Sequence, residues 1–272
     1  MESDDIHDQA QPLIIAGMPR SGTTLLQRLC DHHPQMRVSN DFGNYAFIGD
    51  SFPVYMAKAA RRVLEINGRS RINGAFGGRR TNYVSNIRTT SVHLLRLAQQ
   101  GNGPVSLTAL AVEAGKNDPR TRIVGDKFPQ YIFKMNRFVE LPDLLRLVIY
   151  RDCRDVTSSF LRMVRTAWKY RRWIRDTNTV ETIARRWVQA IEIMERHAGY
   201  LFVIRYEDLV GDPRLQLQRL AECLNVEPSG FNARMVSESS VGKYKRGLTA
   251  EEQDAVLAVA GSTLERLKYT LS

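Results

Sequence analysis

The sequence predicts an α/β fold with a central, mostly parallel β-sheet flanked by helices. Three features predict it: short apolar runs, helical patterns alternating with them, and a glycine turn joining the first run to the first helix. The runs "PLIIAGM" (12–18), "TRIVGD" (121–126), "LLRLVIY" (144–150) and "YLFVIRY" (200–206) are short and rich in β-branched or aromatic residues, and they read as strands of a buried sheet. Helical patterns follow them in "TLLQRLCDHH", "DVTSSFLRMVRTAWKYRRWI", "VETIARRWVQAIEIMERHA" and "PRLQLQRLAECLNV".

A chain of 272 residues, 43% hydrophobic and 25% charged, can bury a sizeable core, and a single domain over 1–272 is expected. Residues 1–11 read as a flexible tail. Residues 42–117, without clear strands and rich in Arg, Gly and Asn, read as helices and loops inserted over the strand ends, where α/β folds bind ligands. Within them "INGRSRINGAFGGRRTN" is either a cover for the site or plain disorder. The leading "MESDDIHDQAQP" is acidic and polar, and no run of 18 apolar residues occurs, so a cytoplasmic chain that does not span a membrane is expected. Cys30, Cys153 and Cys223 are odd in number and lack metal-ligand spacing, and no Cys or further His at metal-binding spacing supports a ligand set at His32 and His33; neither disulfides nor a metal site is expected.

The net charge is +10, concentrated in two stretches. Eight Arg lie between 61 and 96 against Glu65, and nine Lys or Arg between 146 and 175 against Asp152 and Asp155. Such clustering points to an anionic partner or to a solvated basic surface.

"GMPRSGTT", Gly17 to Thr24, follows the first strand and opens the first helix, the setting of a P-loop-like turn whose backbone N–H groups face an anion. Thr23 stands where a triphosphate loop of the form G-x-x-x-x-G-K-[ST] carries lysine, which disfavours ATP or GTP hydrolysis. Arg20 supplies a cation inside the loop instead.

"PRSGTT" in this position resembles the 5′-phosphosulfate loop of the sulfotransferases. That resemblance implies a three-layer P-loop-like domain and sulfuryl transfer from 3′-phosphoadenosine 5′-phosphosulfate (PAPS), with release of adenosine 3′,5′-bisphosphate (PAP), to a hydroxyl or amine acceptor. Arg20, Ser21, Gly22, Thr23 and Thr24 would hold the 5′-phosphosulfate. "LLRLVIYRDCRDVTSSFLRM" is similar to the family's strand ending in arginine with a serine eight residues on, at the start of the next helix, which assigns Arg151 and Ser159 to the 3′-phosphate. "VIRYEDLVGDP" places Tyr206 near the adenine, and "VGDKFPQY" sends Lys127 into the active site. "SSVGKYKRGLTAEEQ" resembles the segment that closes over the nucleotide; Lys243, Lys245 and Arg246 are all candidates for phosphate contact there. The resemblance runs over about Pro12 to Arg246 and is nearest the bacterial and protein-tyrosine branches. It implies no metal requirement, because protein cations neutralise the charge that magnesium neutralises on triphosphates.

No histidine follows Lys127, so the base of the family's cytosolic members is missing. The branches that use a carboxylate carry it after the loop's helix, and Asp41 stands at that position, one methylene shorter than the usual glutamate. A helix-capping role is the competing reading of Asp41, and His93 in "TTSVHLLRLA" ranks below it as a base. Two other functions compete. A nucleotide or small-molecule kinase would need a magnesium ligand, for which Asp126 is the candidate. A nucleic-acid or acidic-glycan binder would use Trp168, Tyr170 and Trp173 interleaved with base, residues that also fit the partly buried face of a helix.

Overall fold

The structure, a computed structural model, describes residues 10–41, 43, 45, 53–54, 57–58, 61, 120–169, 174–237 and 240–271. The expectations for the insertion, His93, Tyr170 and Trp173 therefore fall largely or wholly outside the described residues.

The sheet forms from β1 (Gln11–Ala16), β2 (Met36–Asn40), β3 (Ile123–Lys127), β4 (Leu145–Tyr150) and β5 (Phe202–Arg205). Their order is β2-β3-β1-β4-β5, and all four pairings are parallel. The helices are α1 (Thr23–His32), α2 (Met135–Phe138), α3 (Cys153–Arg165), α4 (Val180–Arg196), α5 (Tyr206–Gly211), α6 (Pro213–Leu224), α7 (Tyr244–Gly247) and α8 (Ala250–Arg266). Central β1 is buried at five of its six positions, which is why it reads as an unbroken apolar run. Its side chains alternate between two cores. Leu13 and Ile15 pack with Leu26 and Leu29 of α1 and Leu217 and Leu220 of α6. Ile14 and Ala16 pack with Phe160 of α3, Trp187 of α4 and Val256 of α8. The period-2 alternation of a strand thus produces the three layers.

All four strands read from apolar runs are present. β2 was not expected: its MRVSN is apolar only at Met36 and Val38, and among the described residues it pairs with β3 alone. The C-terminal helix α8 was also missed, although a capping box between Thr249 and Glu252 marks its start. The second expected helix stops at Arg165 instead of running on to Ile174; Thr166 leaves helical geometry at φ −122° and ψ −98°. β1 begins at Gln11, whose N–H bonds the Arg122 carbonyl, and Ala10 before it is buried.

The topology reverses between β1 and β4, so the chain after β1 and the chain after β4 open a crevice at the carboxyl edge of the sheet. Arg20, Lys127, Arg151 and Tyr206 all follow or end strands at that edge. Among the described residues no helix is long and apolar enough to cross a membrane.

Candidate functional site

The turn after β1 depends on two glycines. Gly17, at φ 151°, lies so close to the Ile149 carbonyl of β4 that a Cβ could not fit. Gly22, at φ 99°, would place a Cβ 2.5 Å from the Tyr206 ring. Between them Arg20 sits at φ 79°, a conformation that costs a residue with a side chain energy and that clusters at functional sites. Gly22 is the N-cap of α1; no side chain caps that helix, and its first turn carries no acid. By contrast, α3, α4, α6 and α8 are capped by Asp152, Thr179, Asp212 and Thr249. α1 alone of these helices keeps its partial positive charge uncompensated by a cap.

That helix end opens on a cleft of about 680 Å³. Of the residues expected to hold the donor, Arg20, Gly22, Thr23, Thr24, Arg151, Ser159, Tyr206, Lys243 and Arg246 line it. Ser21 lies behind the loop, fully buried, with its hydroxyl unpartnered among the described residues. The three C-terminal candidates separate: Lys243 and Arg246 line the cleft, and exposed Lys245 does not. Arg162 and Arg165 line it as well and were not singled out from the sequence, though both belong to the second basic stretch and follow Ser159 at helical spacing. Among the described residues the lining holds six cationic side chains, Arg20, Arg151, Arg162, Arg165, Lys243 and Arg246, against one carboxylate, Asp155. Burial, then the nearby Arg162 and Arg151, push the Arg20 pKa below its ordinary value, with Asp41 pulling the other way. An anion between these guanidiniums relieves that repulsion.

Arg151 follows β4 directly. Its carbonyl accepts from Trp187 Nε1 at 2.9 Å, and its guanidinium stacks 4.7 Å from the Tyr206 ring centroid. Nη2 pairs with Asp155 at 3.0 Å and bonds the Ser240 carbonyl, while Nε has no partner among the described residues. Ser159 does not begin α3 as expected. It lies in the second turn, because the helix starts at Cys153 with Asp152 accepting from the Arg154 N–H. Its hydroxyl accepts from Arg20 Nε at 2.9 Å, so the loop cation and the serine assigned to the other phosphate are already joined.

Lys127 and Asp41 form a second group beside the loop. Lys127, 1% exposed, donates from Nζ to Asp41 Oδ1 at 2.7 Å and to Thr24 Oγ1 at 3.2 Å. The unexpected β2 makes this pairing: Asn40 is in register with Lys127, and the Asp41 N–H extends the ladder to the Lys127 carbonyl at 2.7 Å. Asp41 adopts φ 57°, outside the extended conformation of an N-cap residue, which counts against the capping reading.

Asp126, the residue offered for magnesium in the kinase reading, is fully buried. It accepts from Ser39 Oγ, from the Gly43 N–H at 2.8 Å and from Tyr131 Oη at 2.5 Å. It braces the chain on both sides of Asp41. Asp126→Asn should therefore destabilise the fold by about 1–3 kcal/mol through a mispaired buried donor, measured by urea denaturation. A stability equal to wild type would show that the brace is dispensable.

The remaining candidates are structural. Trp168 lies in the turn beyond the end of α3, not on a helix face, and packs edge-on to Phe160 at 5.2 Å, partly buried against the core. His33 is buried against Phe231, with Nδ1 accepting from the Gln35 N–H and Nε2 meeting the Glu227 carbonyl. Cys30 and Cys153 are free and buried, and burial raises both thiol pKa values; Cys223 is free and exposed. Among the described residues no group of three His, Cys, Asp or Glu could hold a metal ion.

Parallel strands, an uncapped glycine-turn helix and a cationic crevice at the strand ends define a P-loop-like α/β protein. This chain belongs to the Sulfotransferase family, whose pattern matches residues 12–229. It is similar to protein-tyrosine sulfotransferase A of Caenorhabditis elegans, at 24% identity over 83% of this chain and 53% of that protein. It is also similar to the protein-tyrosine sulfotransferase of Drosophila melanogaster, at 22% identity over 81% of this chain and 39% of that protein. The chain thus spans about half or less of the length of these curated relatives. Among solved structures, the sulfotransferase domain of the Synechococcus PCC 7002 olefin synthase shares the fold at a TM-score of 0.58, with 18% identity and 98% of both chains covered. The sulfotransferase domain of the curacin biosynthetic pathway does so at 0.54, with 18% identity and 97% and 99% covered.

Proposed function

We propose that this chain transfers a sulfuryl group from PAPS to a hydroxyl-bearing acceptor, using Asp41 as base. The observation that carries the reading is the cleft itself, with six cations against one carboxylate among the described residues around an uncapped helix end. The residues present suit the donor. The Arg151 Nε, in the lining of the cleft, is a buried donor without a partner among the described residues, a cost that an anion's oxygens offset.

When bound, PAPS supplies the sulfuryl group and PAP as the leaving group. The backbone of Ser21 to Thr24 holds the 5′ end, Arg151 with Ser159 holds the 3′-phosphate, and Tyr206 lies beside the adenine. Lys243 and Arg246 close over the nucleotide. Arg20 and Lys127 neutralise charge at the reacting end. Asp41 accepts the proton of the acceptor hydroxyl as its oxygen attacks. The relatives' names make tyrosine hydroxyls the first acceptors to try.

The kinase reading has lost its metal ligand to the Asp126 brace and still lacks a replacement for the loop lysine. Incubation with labelled PAPS and a panel of tyrosine peptides, glycans and hydroxylated metabolites should give labelled product. A chain that neither transfers label nor binds PAP would end this reading. Separately, PAP should bind more tightly than adenosine 5′-monophosphate (AMP), and Arg151→Ala should weaken PAP about 10- to 100-fold while leaving AMP little changed. Calorimetry showing equal wild-type affinity for both nucleotides would remove the 3′-phosphate assignment.

A further inference from the structure

We propose that Asp155 is a positioning residue that makes the Arg151 guanidinium and the strap Ser240–Gly247 one unit, and so sets selectivity for a nucleotide 3′-phosphate. This rests on the donor reading above.

Residues 151, 154, 155 and 158 follow helical spacing, so they share one face at the start of α3. The strap meets each of them in turn. Arg151 Nη2 bonds the Ser240 carbonyl, and the Arg154 guanidinium lies 4.3 Å from the Tyr244 ring centroid. Asp155 Oδ2 accepts from the Gly242 N–H at 2.9 Å and Oδ1 from the Tyr244 N–H at 2.9 Å. The Ser158 hydroxyl fills the space that a side chain on Gly247 would need.

Asp155 is 2% exposed, and a carboxylate so buried persists only when donors surround it. Its donors come from two parts of the site. Oδ2 serves both Arg151 Nη2, at 3.0 Å, and the strap's Gly242 N–H. Any movement of the strap is therefore felt at Arg151, and any reorientation of Arg151 is felt at the strap. The docked strap also carries Lys243 and Arg246 to the cleft. A 3′-phosphate that engages Arg151 favours the docked strap; AMP, which lacks that phosphate, makes no such demand.

The test is amide hydrogen exchange on the full chain, alone and saturated with PAP or with AMP. PAP should slow exchange at Gly242 and Tyr244 at least about tenfold beyond AMP, because docking and 3′-phosphate contact are coupled. Calorimetry on Asp155→Asn should then show PAP affinity down about 10- to 100-fold and AMP affinity changed less than about threefold, with Asp155→Glu recovering part of the loss. Equal protection of the two amides by PAP and AMP would overturn the coupling without recourse to any variant. So would an Asp155→Asn protein weakened equally for both nucleotides, the pattern of a merely structural role. Failure of the donor reading shows differently, as wild-type protein that binds PAP no more tightly than AMP, and it would overturn both proposals.

Discussion

Asp41→Asn should lower turnover about 10²- to 10⁴-fold while PAP affinity stays near the wild-type value. The substitution keeps the hydrogen bond and the backbone conformation of Asp41. An amide oxygen can still accept from Lys127 Nζ, which now meets Oδ1 at 2.7 Å. The left-handed φ of 57° is one that asparagine tolerates better than other residues with side chains, so the backbone pays no new strain. The Asp41 carboxylate is 44% exposed but Lys127 is 1% exposed, so losing the ion pair leaves a buried cation with neutral acceptors and should cost about 1–3 kcal/mol of stability. What disappears is the negative charge and with it the capacity to take a proton. A loss of 10²- to 10⁴-fold corresponds to about 2.7–5.5 kcal/mol of barrier. Asp41→Glu should retain part of the activity. Turnover by Asp41→Asn at the wild-type rate, with PAP binding also unchanged, would show that another group takes the proton.

The location of Asp41 was legible before its surroundings were. Its distance from the loop marked it in the sequence, yet β2, the strand that carries it to Lys127, was not recognised. β2 is an edge strand with two apolar side chains, and its pairing is supplied by β3 from 80 residues or more further along, which no local pattern can register. The central strands were readable because burial on both faces leaves a continuous apolar run. The loop was readable because its glycines are required by a close approach to Ile149 and Tyr206, while the approach itself was not. Asp126 is the reverse case: a carboxylate at a strand end looks available for a metal, and only tertiary contacts reveal that Ser39, Gly43 and Tyr131 have taken its oxygens. Lys243 and Arg246 are three apart and share a face, whereas Lys245 between them does not; reading the helical spacing of that segment would have separated them.

Arg20→Ala should reduce turnover about 10²- to 10³-fold, more than it weakens PAP. The Arg20 charge is held in an unfavourable place: burial and two neighbouring guanidiniums push its pKa down, and its backbone is left-handed. Such a cation gains most from negative charge placed beside it, and charge on the bridging oxygen is greatest when the sulfuryl group departs. Its contribution therefore belongs more to the transition state than to the bound nucleotide. Alanine keeps the strained backbone and removes the charge that the strain positions. Arg20→Lys restores charge without the planar fork and should recover part of the rate. The bond from Arg20 Nε to Ser159 Oγ supplies the control. Ser159→Ala also breaks that bond but leaves the Arg20 charge in place, so it should reduce the preference for PAP over AMP and change turnover by only a few-fold. If Ser159→Ala and Arg20→Ala depress turnover equally, Arg20 serves to hold the serine and its charge has no direct part in the transfer. If Arg20→Ala retains the full rate, Arg20 leaves the mechanism, and neutralisation of the departing oxygen falls to Lys127.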